Sequence, residues 1–472
     1  KFLDMGFFAV LTRRFDPVLD WSLFGGAVDF LTESMGHRAA IATVVAAAVS
    51  AVVVLVVMTL SMLRLSQVVV RHRRRAPRVV TAVAAVWVTC ALLGAHLVPG
   101  VPVAARSAAG LTYGRIQQVR SGLQDQRAFA AEASIDAFRD TPGDQLLAGL
   151  RGKNVIVSFV ESYGRDAVED PQFAPHVGAV LDAGNRRLGA AGYASRSAFL
   201  TSPTAGGGSW LASATLLSGL WIDNQQRYRN LVSSDRLTLG GAFQRAKWQT
   251  VAVKPGTNRA WPESAFYGYD RVYDARNLGY RGPKFSWSSM PDQYALSAFE
   301  RAEGAAADRT PVMAEISLTS SHAPWAPIPR MIDWNDVGDG SAYHAVAAAG
   351  NTRKAVWNDP ARVRAEYGRS IGYSLECLIS YVEKYRDDDL VLVFLGDHQP
   401  SPIVTGERAS RDVPITIVAR DPAVLDRITG WGWQDGLKPG PGAPVWRMDT
   451  FRDRFLTAYG SPKQAPAAPT AR

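Results

Sequence analysis

The chain has 472 residues, of which 47% are hydrophobic and 20% charged, a globular composition with room for one large α/β domain and a smaller unit. Its two cysteines, Cys90 and Cys377, exclude a disulfide framework and a cysteine-rich metal site. The net charge of +9 does not indicate a nucleic-acid partner, because Arg64, Arg71, Arg73, Arg74, Arg75 and Arg78 crowd one short stretch and no basic stripe with interleaved aromatics occurs elsewhere.

Residues 1–38 read as an extracytoplasmic segment, truncated upstream: the sequence opens on Lys1, and Phe7-Phe8-Ala9-Val10-Leu11 follows closely. Within 39–99 two transmembrane helices are predicted. Ala39–Leu63 is almost uninterrupted Ala, Val, Ile, Leu and Met, and Val79–Val98 holds Trp87 and no formal charge. The arginine-rich stretch 64–78 between them is expected as a cytoplasmic loop, which puts both flanks, and everything after about residue 100, outside a multi-pass cell membrane. Residues 100–150 are polar and Ala-rich and read as a linker or stalk.

From 151 to 462 a catalytic domain is expected. Apolar β-branched runs at Asn154–Val160, Thr250–Val253, Val312–Leu318, Leu390–Leu395 and Val413–Val418 have the continuous character of strands buried on both faces. They alternate with helical patterns at Pro175–Arg187 and Arg364–Lys384, the second placing Ile371, Leu375, Leu378 and Val382 on one face. The alternation predicts a doubly wound, mostly parallel α/β sheet. The Pro/Ala-rich residues 463–472 read as a disordered tail.

Ligands of open α/β sheets bind at the carboxyl ends of strands. Two runs end in chemistry-bearing residues there: Asn154–Val160 in Glu161-Ser162, and Leu390–Leu395 in Gly396-Asp397-His398. Each taken singly also reads as a cap or a turn. Together Glu161, Asp397 and His398 form a ligand set for one divalent cation, Mn²⁺ or Mg²⁺ first, with Zn²⁺ and Ca²⁺ also compatible. Between those strands, Gly206-Gly207-Gly208 precede Ser209 at an expected helix start, where a hydroxyl beside a cation is suited to attack phosphorus. The alternative is a glycine loop with Ser209 as an ordinary cap.

These segments resemble the sulfatase-like branch of the alkaline phosphatase superfamily, most of all its lipoteichoic acid synthase and phosphoglycerol transferase members. The parts that carry the resemblance are Asn154–Ser162, the hydroxyl loop before Leu216-Leu217-Ser218-Gly219, Ser321-His322-Ala323-Pro324-Trp325 and Gly396-Asp397-His398. The resemblance implies an alkaline phosphatase-like fold, Glu161, Asp397, His398 and the nucleophile as metal ligands, and His322 on the substrate phosphate or the leaving group. Ser209, nine positions before Ser218 as in sulfatases, is the first candidate nucleophile, and Thr204 the second. A threonine is usual in lipoteichoic acid synthases, so serine is a departure. The Pro and Arg that follow a formylglycine precursor are absent after Ser209, which argues for direct attack by a hydroxyl. Trp261-Pro262-Glu263 stands where the synthases carry Trp-x-Arg, so Trp261 and Arg259 are candidate substrate contacts around an acidic Glu263, and Trp261 reads equally as a core aromatic.

The expected function is a membrane-anchored transferase that moves a phosphoryl or phosphoalcohol group from a lipid-linked or envelope phosphate ester through a seryl or threonyl intermediate. The alternatives are a phosphoric or sulfuric ester hydrolase and a catalytically inactive tethered binding protein.

Overall fold

The computed structural model describes residues 2–11, 15–16, 20, 24–25, 28, 31–32, 36–74, 76–93, 96–98, 101–102, 117, 122, 124–285, 287–304, 310–406 and 409–461. The chain divides into two compact units, residues 21–128 on the one hand and residues 1–20 with 129–472 on the other.

Helix α1, Phe2–Leu11, belongs to the larger unit, and the smaller unit is dominated by helix α2, His37–Arg71, whose apolar side chains are exposed, Leu55 at 63% and Val70 at 71%. Among the described residues it is the one helix long and apolar enough to cross a membrane. The second expected span falls on helix α3, Ala76–Leu93, whose apolar stretch, Ala76–Cys90, is shorter than that of α2. The arginine-rich stretch is also less of a loop than its charge suggests. Arg64 and Arg71 continue α2, Arg78 already lies in α3, and only 72–74 form a turn among the described residues. Arginine is a good helix former, so charge alone does not end a helix.

The larger unit is a nine-stranded mixed sheet. In chain order its strands are β1 Asn154–Val160, β2 Ala194–Thr201, β3 Gln249–Lys254, β4 Arg271–Asp274, β5 Val312–Leu318, β6 Leu390–Gly396, β7 Asp412–Ala419, β8 Gln434–Asp435 and β9 Val445–Arg447. The spatial order is β8-β2-β7-β6-β1-β5-β3-β4, with β9 beside β2. The middle is parallel, β6-β1-β5-β3-β4, whereas β7 is antiparallel to both β6 and β2. The expectation of a mostly parallel sheet thus holds for the centre, with an antiparallel flank.

The sheet is buried on both faces, as continuous apolar strands require. Val155, Val157 and Phe159 of β1 enter one core and Ile156 and Val160 the other. Helix α4, Ala174–Ala190, and the 26-residue helix α5, Pro360–Tyr385, cover the Ile156 side. Helix α5 starts cleanly because Pro360 occupies its first turn and the Asp359 side chain accepts the Ala361 amide.

The unit begins earlier than residue 151. Residues 124–134 are helical, and Phe129, Ala133, Leu146, Leu147 and Leu150 are buried in the second core. Asp136 and Arg452, both fully buried, join this segment to the C-terminal helix through two 2.9 Å hydrogen bonds. Residues of the expected tail lie outside the described residues.

Candidate active site

Adjacent strands β6, β1 and β5 deliver three chain segments to one end of the sheet: Asp397-His398 after β6, Glu161-Ser162 after β1, and Thr319–His322 after β5. Ligand atoms of Glu161, Asp397 and His398 lie within 4.8 Å of one another. The backbone is bent to make this meeting possible. Ser162 adopts φ 57°, a strained conformation for a residue with a side chain, and its amide donates to Asp397 Oδ1 at 2.8 Å while its hydroxyl donates to Glu161 Oε1 at 2.9 Å. The His398 amide donates to the same Asp397 Oδ1 at 2.7 Å, so one carboxylate oxygen is pinned by backbone and the other is left toward the group.

His398 Nδ1 lies 2.8 Å from the Gln399 carbonyl oxygen. A carbonyl only accepts, so Nδ1 carries the proton and Nε2 is the nitrogen presented to Glu161, 3.5 Å from Oε1.

Gly206, Gly207 and Gly208 have φ of 75°, 156° and 88°, a positive-φ run that side-chain residues rarely adopt, and it turns the chain into helix α6, Ser209–Ser218. Ser209 opens the helix, and its hydroxyl lies 3.0 Å from Glu161 Oε2 and 3.3 Å from His398 Nε2. Thr204, the second candidate, packs its methyl toward Gly208, and its buried hydroxyl has no hydrogen-bond partner among the described residues. The structure therefore brings Ser209, and not Thr204, to the acidic group.

Burial pushes the Asp397 carboxyl up, and the neighbouring Glu161 charge adds to it, to about 7. Burial also acts on Glu161, but the charges of His322 and His398 and the Ser162 hydroxyl outweigh it and hold that carboxyl below its ordinary range. Burial lowers His398, and the Asp397 and Glu161 charges more than reverse it, so its imidazole is raised. Two carboxylates this close share the site as two anions only when a cation neutralises them. The donors present, carboxylate oxygens, an imidazole Nε2 and a hydroxyl, fit a divalent cation.

The His322 charge helps to hold the Glu161 carboxyl below its ordinary range, so its imidazole lies within electrostatic reach of the group. Its Nδ1 lies 2.5 Å from the Ala323 carbonyl oxygen, and the Trp287 indole stacks on its ring at 4.1 Å and 22°. The segment is anchored from below: the Ser321 hydroxyl donates to the Glu161 carbonyl at 2.6 Å and the buried Trp325 indole to the Ser321 carbonyl at 2.7 Å. Trp261 is half-buried against Tyr267 and Tyr269, with Lys254 Nζ 5.5 Å from its ring, and Arg259 is exposed in the same loop. The ring contacts of Trp261 among the described residues are to Tyr267, Tyr269 and Lys254, and not to Ser209.

Sequence reasoning missed Lys254 and Trp287. Lys254 ends β3 in contact with the buried Glu315 and 3.1 Å from the Ser317 hydroxyl, and the rule that found Glu161, a polar residue closing an apolar strand, applies to it equally. Trp287 lies in irregular chain between elements and carries no such signal.

The profile of the Sulfatase family matches residues 153–412. No curated protein sequence matches the chain. Similar solved structures include the lipoteichoic acid synthase LtaP from Listeria monocytogenes, at 15% identity over 68% of this chain and 75% of that one, with a TM-score of 0.43. The C-terminal periplasmic domain of EptC from Escherichia coli, in complex with Zn, has 12% identity over 65% and 82%, with a TM-score of 0.41. The phosphoglycerol transferase GacH from Streptococcus pyogenes, in complex with sn-glycerol-1-phosphate, has 12% identity over 72% and 91%, with a TM-score of 0.40. Because the family profile spans more than half of the chain, including Glu161, Ser209, His322, Asp397 and His398, this protein belongs to the Sulfatase family and is an enzyme of the sulfatase-like type.

Proposed function

We propose that the protein is a membrane-anchored transferase that takes a phosphoryl or phosphoalcohol group from a lipid-linked or envelope phosphate ester at the outer face of the membrane and passes it, through Ser209, to an acceptor alcohol. The observation that carries this reading is the Ser209 hydroxyl, which opens a helix behind three glycines and touches both Glu161 and His398. Anchoring is supported by α2, whose apolar side chains beyond Ala40 are exposed among the described residues, and by arginines gathered at its far end.

Glu161, Ser209, Asp397 and His398 would hold the cation, Mn²⁺ or Mg²⁺ first among several possible. When bound, it lowers the pKa of the Ser209 hydroxyl and offsets charge on the phosphoryl oxygens. Ser209 Oγ, as the alkoxide, forms the bond to phosphorus as the bond from phosphorus to the donor's alcohol oxygen breaks. That oxygen leaves with the electron pair and takes a proton from His322 Nε2. In the second half the acceptor hydroxyl returns a proton to His322, its oxygen bonds to phosphorus, and Ser209 Oγ departs as the alkoxide. The amides at the start of α6 face the anion. Water in place of the acceptor gives the ester hydrolase, which the same site supports.

The test is Ser209→Ala against the parent, with bis(4-nitrophenyl) phosphate as probe and mass spectrometry of the peptide that contains residue 209. The expected outcome is loss of turnover and of a phosphorylated serine peptide. Turnover undiminished in the variant removes Ser209 from the mechanism.

A further inference from the structure

Trp287 belongs to no strand or helix, yet its indole is placed from both sides. One face lies on His322 at 4.1 Å and 22°. On another side is Gly256, in the loop after β3, where a Cβ would come within 2.6 Å of the indole Cζ3 and 2.7 Å of Cη2. Gly256 is thus required for space, and three separate loops meet to form the stack.

The next residues bolt the Trp287 segment to the His322 segment. The Ser288 hydroxyl is 2.6 Å from the Thr319 hydroxyl and donates to the Met290 carbonyl at 2.7 Å. Asp292, fully buried, accepts the amides of Thr319 at 2.7 Å and Ser320 at 3.0 Å, and its second oxygen accepts the Ser374 hydroxyl at 2.6 Å. These bonds fix the backbone that leads into His322. They do not fix its ring, whose rotation is opposed by the Ala323 carbonyl at Nδ1 and by the flat indole.

We infer that Trp287 is a positioning residue that holds the His322 imidazole with Nε2 toward the leaving oxygen. The inference rests on the transfer reading above. The proton moves only between Nε2 and that oxygen, and Trp287 takes no part in bond making. Proton donation matters most for a poor leaving group, because an alkoxide needs the proton and a 4-nitrophenolate does not. Removal of the indole therefore acts selectively on esters of ordinary alcohols.

The experiment uses the full chain with histidine ring carbons labelled, in the parent, Trp287→Ala, Trp287→Phe and, for assignment, His322→Gln. The indole ring current marks the His322 signals. Trp287→Ala is expected to move them while the other histidines stay in place, and Trp287→Phe to restore part of the shift. In parallel, turnover of 4-nitrophenyl phosphodiesters is compared with that of an alkyl phosphodiester. Trp287→Ala is expected to lose roughly ten- to a hundredfold in kcat on the alkyl ester and much less on the nitrophenyl ester, with Trp287→Phe close to the parent. His322 signals unmoved in Trp287→Ala overturn the inference, and so does an equal loss on both esters. A parent inert to both esters overturns the transfer reading and this role with it, whereas an active parent with either of the first two results overturns the role of Trp287 alone.

Discussion

Protons and cations compete for the Glu161, Asp397 and His398 group, and the structure sets the sign and size of that competition. Burial and the Glu161 charge raise Asp397 to about 7, and the two carboxylates raise His398. A cation needs Asp397 ionised and His398 neutral, so each proton on either group must leave before it binds. The apparent values belong to the coupled group as a whole. Affinity therefore rises with pH and flattens once the group is free of protons. One displaced proton weakens binding about tenfold, or ~1.4 kcal/mol, for each pH unit below its pKa. For Asp397 alone, a fall to about pH 5 lies about two units below its raised value and weakens binding roughly a hundredfold, with His398 making the slope steeper. The measurement is calorimetric titration of chelator-stripped protein with Mn²⁺ across this range, in pairs of buffers that differ in ionisation heat so that released protons are counted. About one proton or more should leave near pH 6. Affinity that is flat across the range with no proton released would refute the reasoning.

The remaining predictions concern stability and local backbone. Asp136→Ala removes the fully buried one of the two acid partners of the Arg452 guanidinium, leaving the half-exposed Asp453 at 2.7 Å, and should destabilise the larger unit by on the order of 3 kcal/mol, read by chemical denaturation. Burial raises the Asp136 carboxyl, but Arg452 outweighs it and holds the group below 3.8, so its contribution is present above that pH and is lost as pH falls through the depressed value. An unfolding midpoint that moves no more than for an exposed site would count against the pair. Gly208→Ala forces a side chain into φ 88° and places its Cβ 3.3 Å from the Thr204 methyl, at a cost of about 1–2 kcal/mol. Because Ser209 is the next residue, turnover should fall far more than the unfolding midpoint, and equal activity would show that the loop tolerates the shift.

The strands that proved legible are those for which burial on both faces forces a continuous apolar run, β1 and β5 above all. Strand β2, Ala194–Thr201, was missed because Ser195, Arg196 and Ser197 interrupt it. Arg196 lies opposite Asp435 of β8, so a neighbouring strand, not a core, accounts for its charge. Within the expected stalk the structure differs over residues 124–150, for a related reason. The polar composition of that segment includes Asp136, whose partners Arg236 and Arg452 come from far along the chain, and a charge that reads as solvated in sequence is here buried by partners a local window does not contain.

The site divides along the same line. Glu161, Asp397, His398 and Ser209 were legible because each follows a local rule: polar residues that close an apolar strand, or a hydroxyl behind a glycine run at a helix start. What the rule does not supply is the choice among hydroxyls. Ser202 donates to the Asp397 carbonyl at 2.6 Å and is consumed in holding that turn, the Thr204 hydroxyl is buried with no hydrogen-bond partner among the described residues, and of these three Ser209 is the one in contact with the group. The choice is made by the positive φ of three glycines, a property of backbone direction. Trp287 lies further still from local reasoning, since its place depends on a missing Cβ at Gly256 and on a ring in a third loop. Ligand donors of such a site can be read one at a time, whereas the groups that aim them exist only as contacts between segments, and the aim of His322 is where substitution at a distance in sequence should change chemistry without changing the donor set.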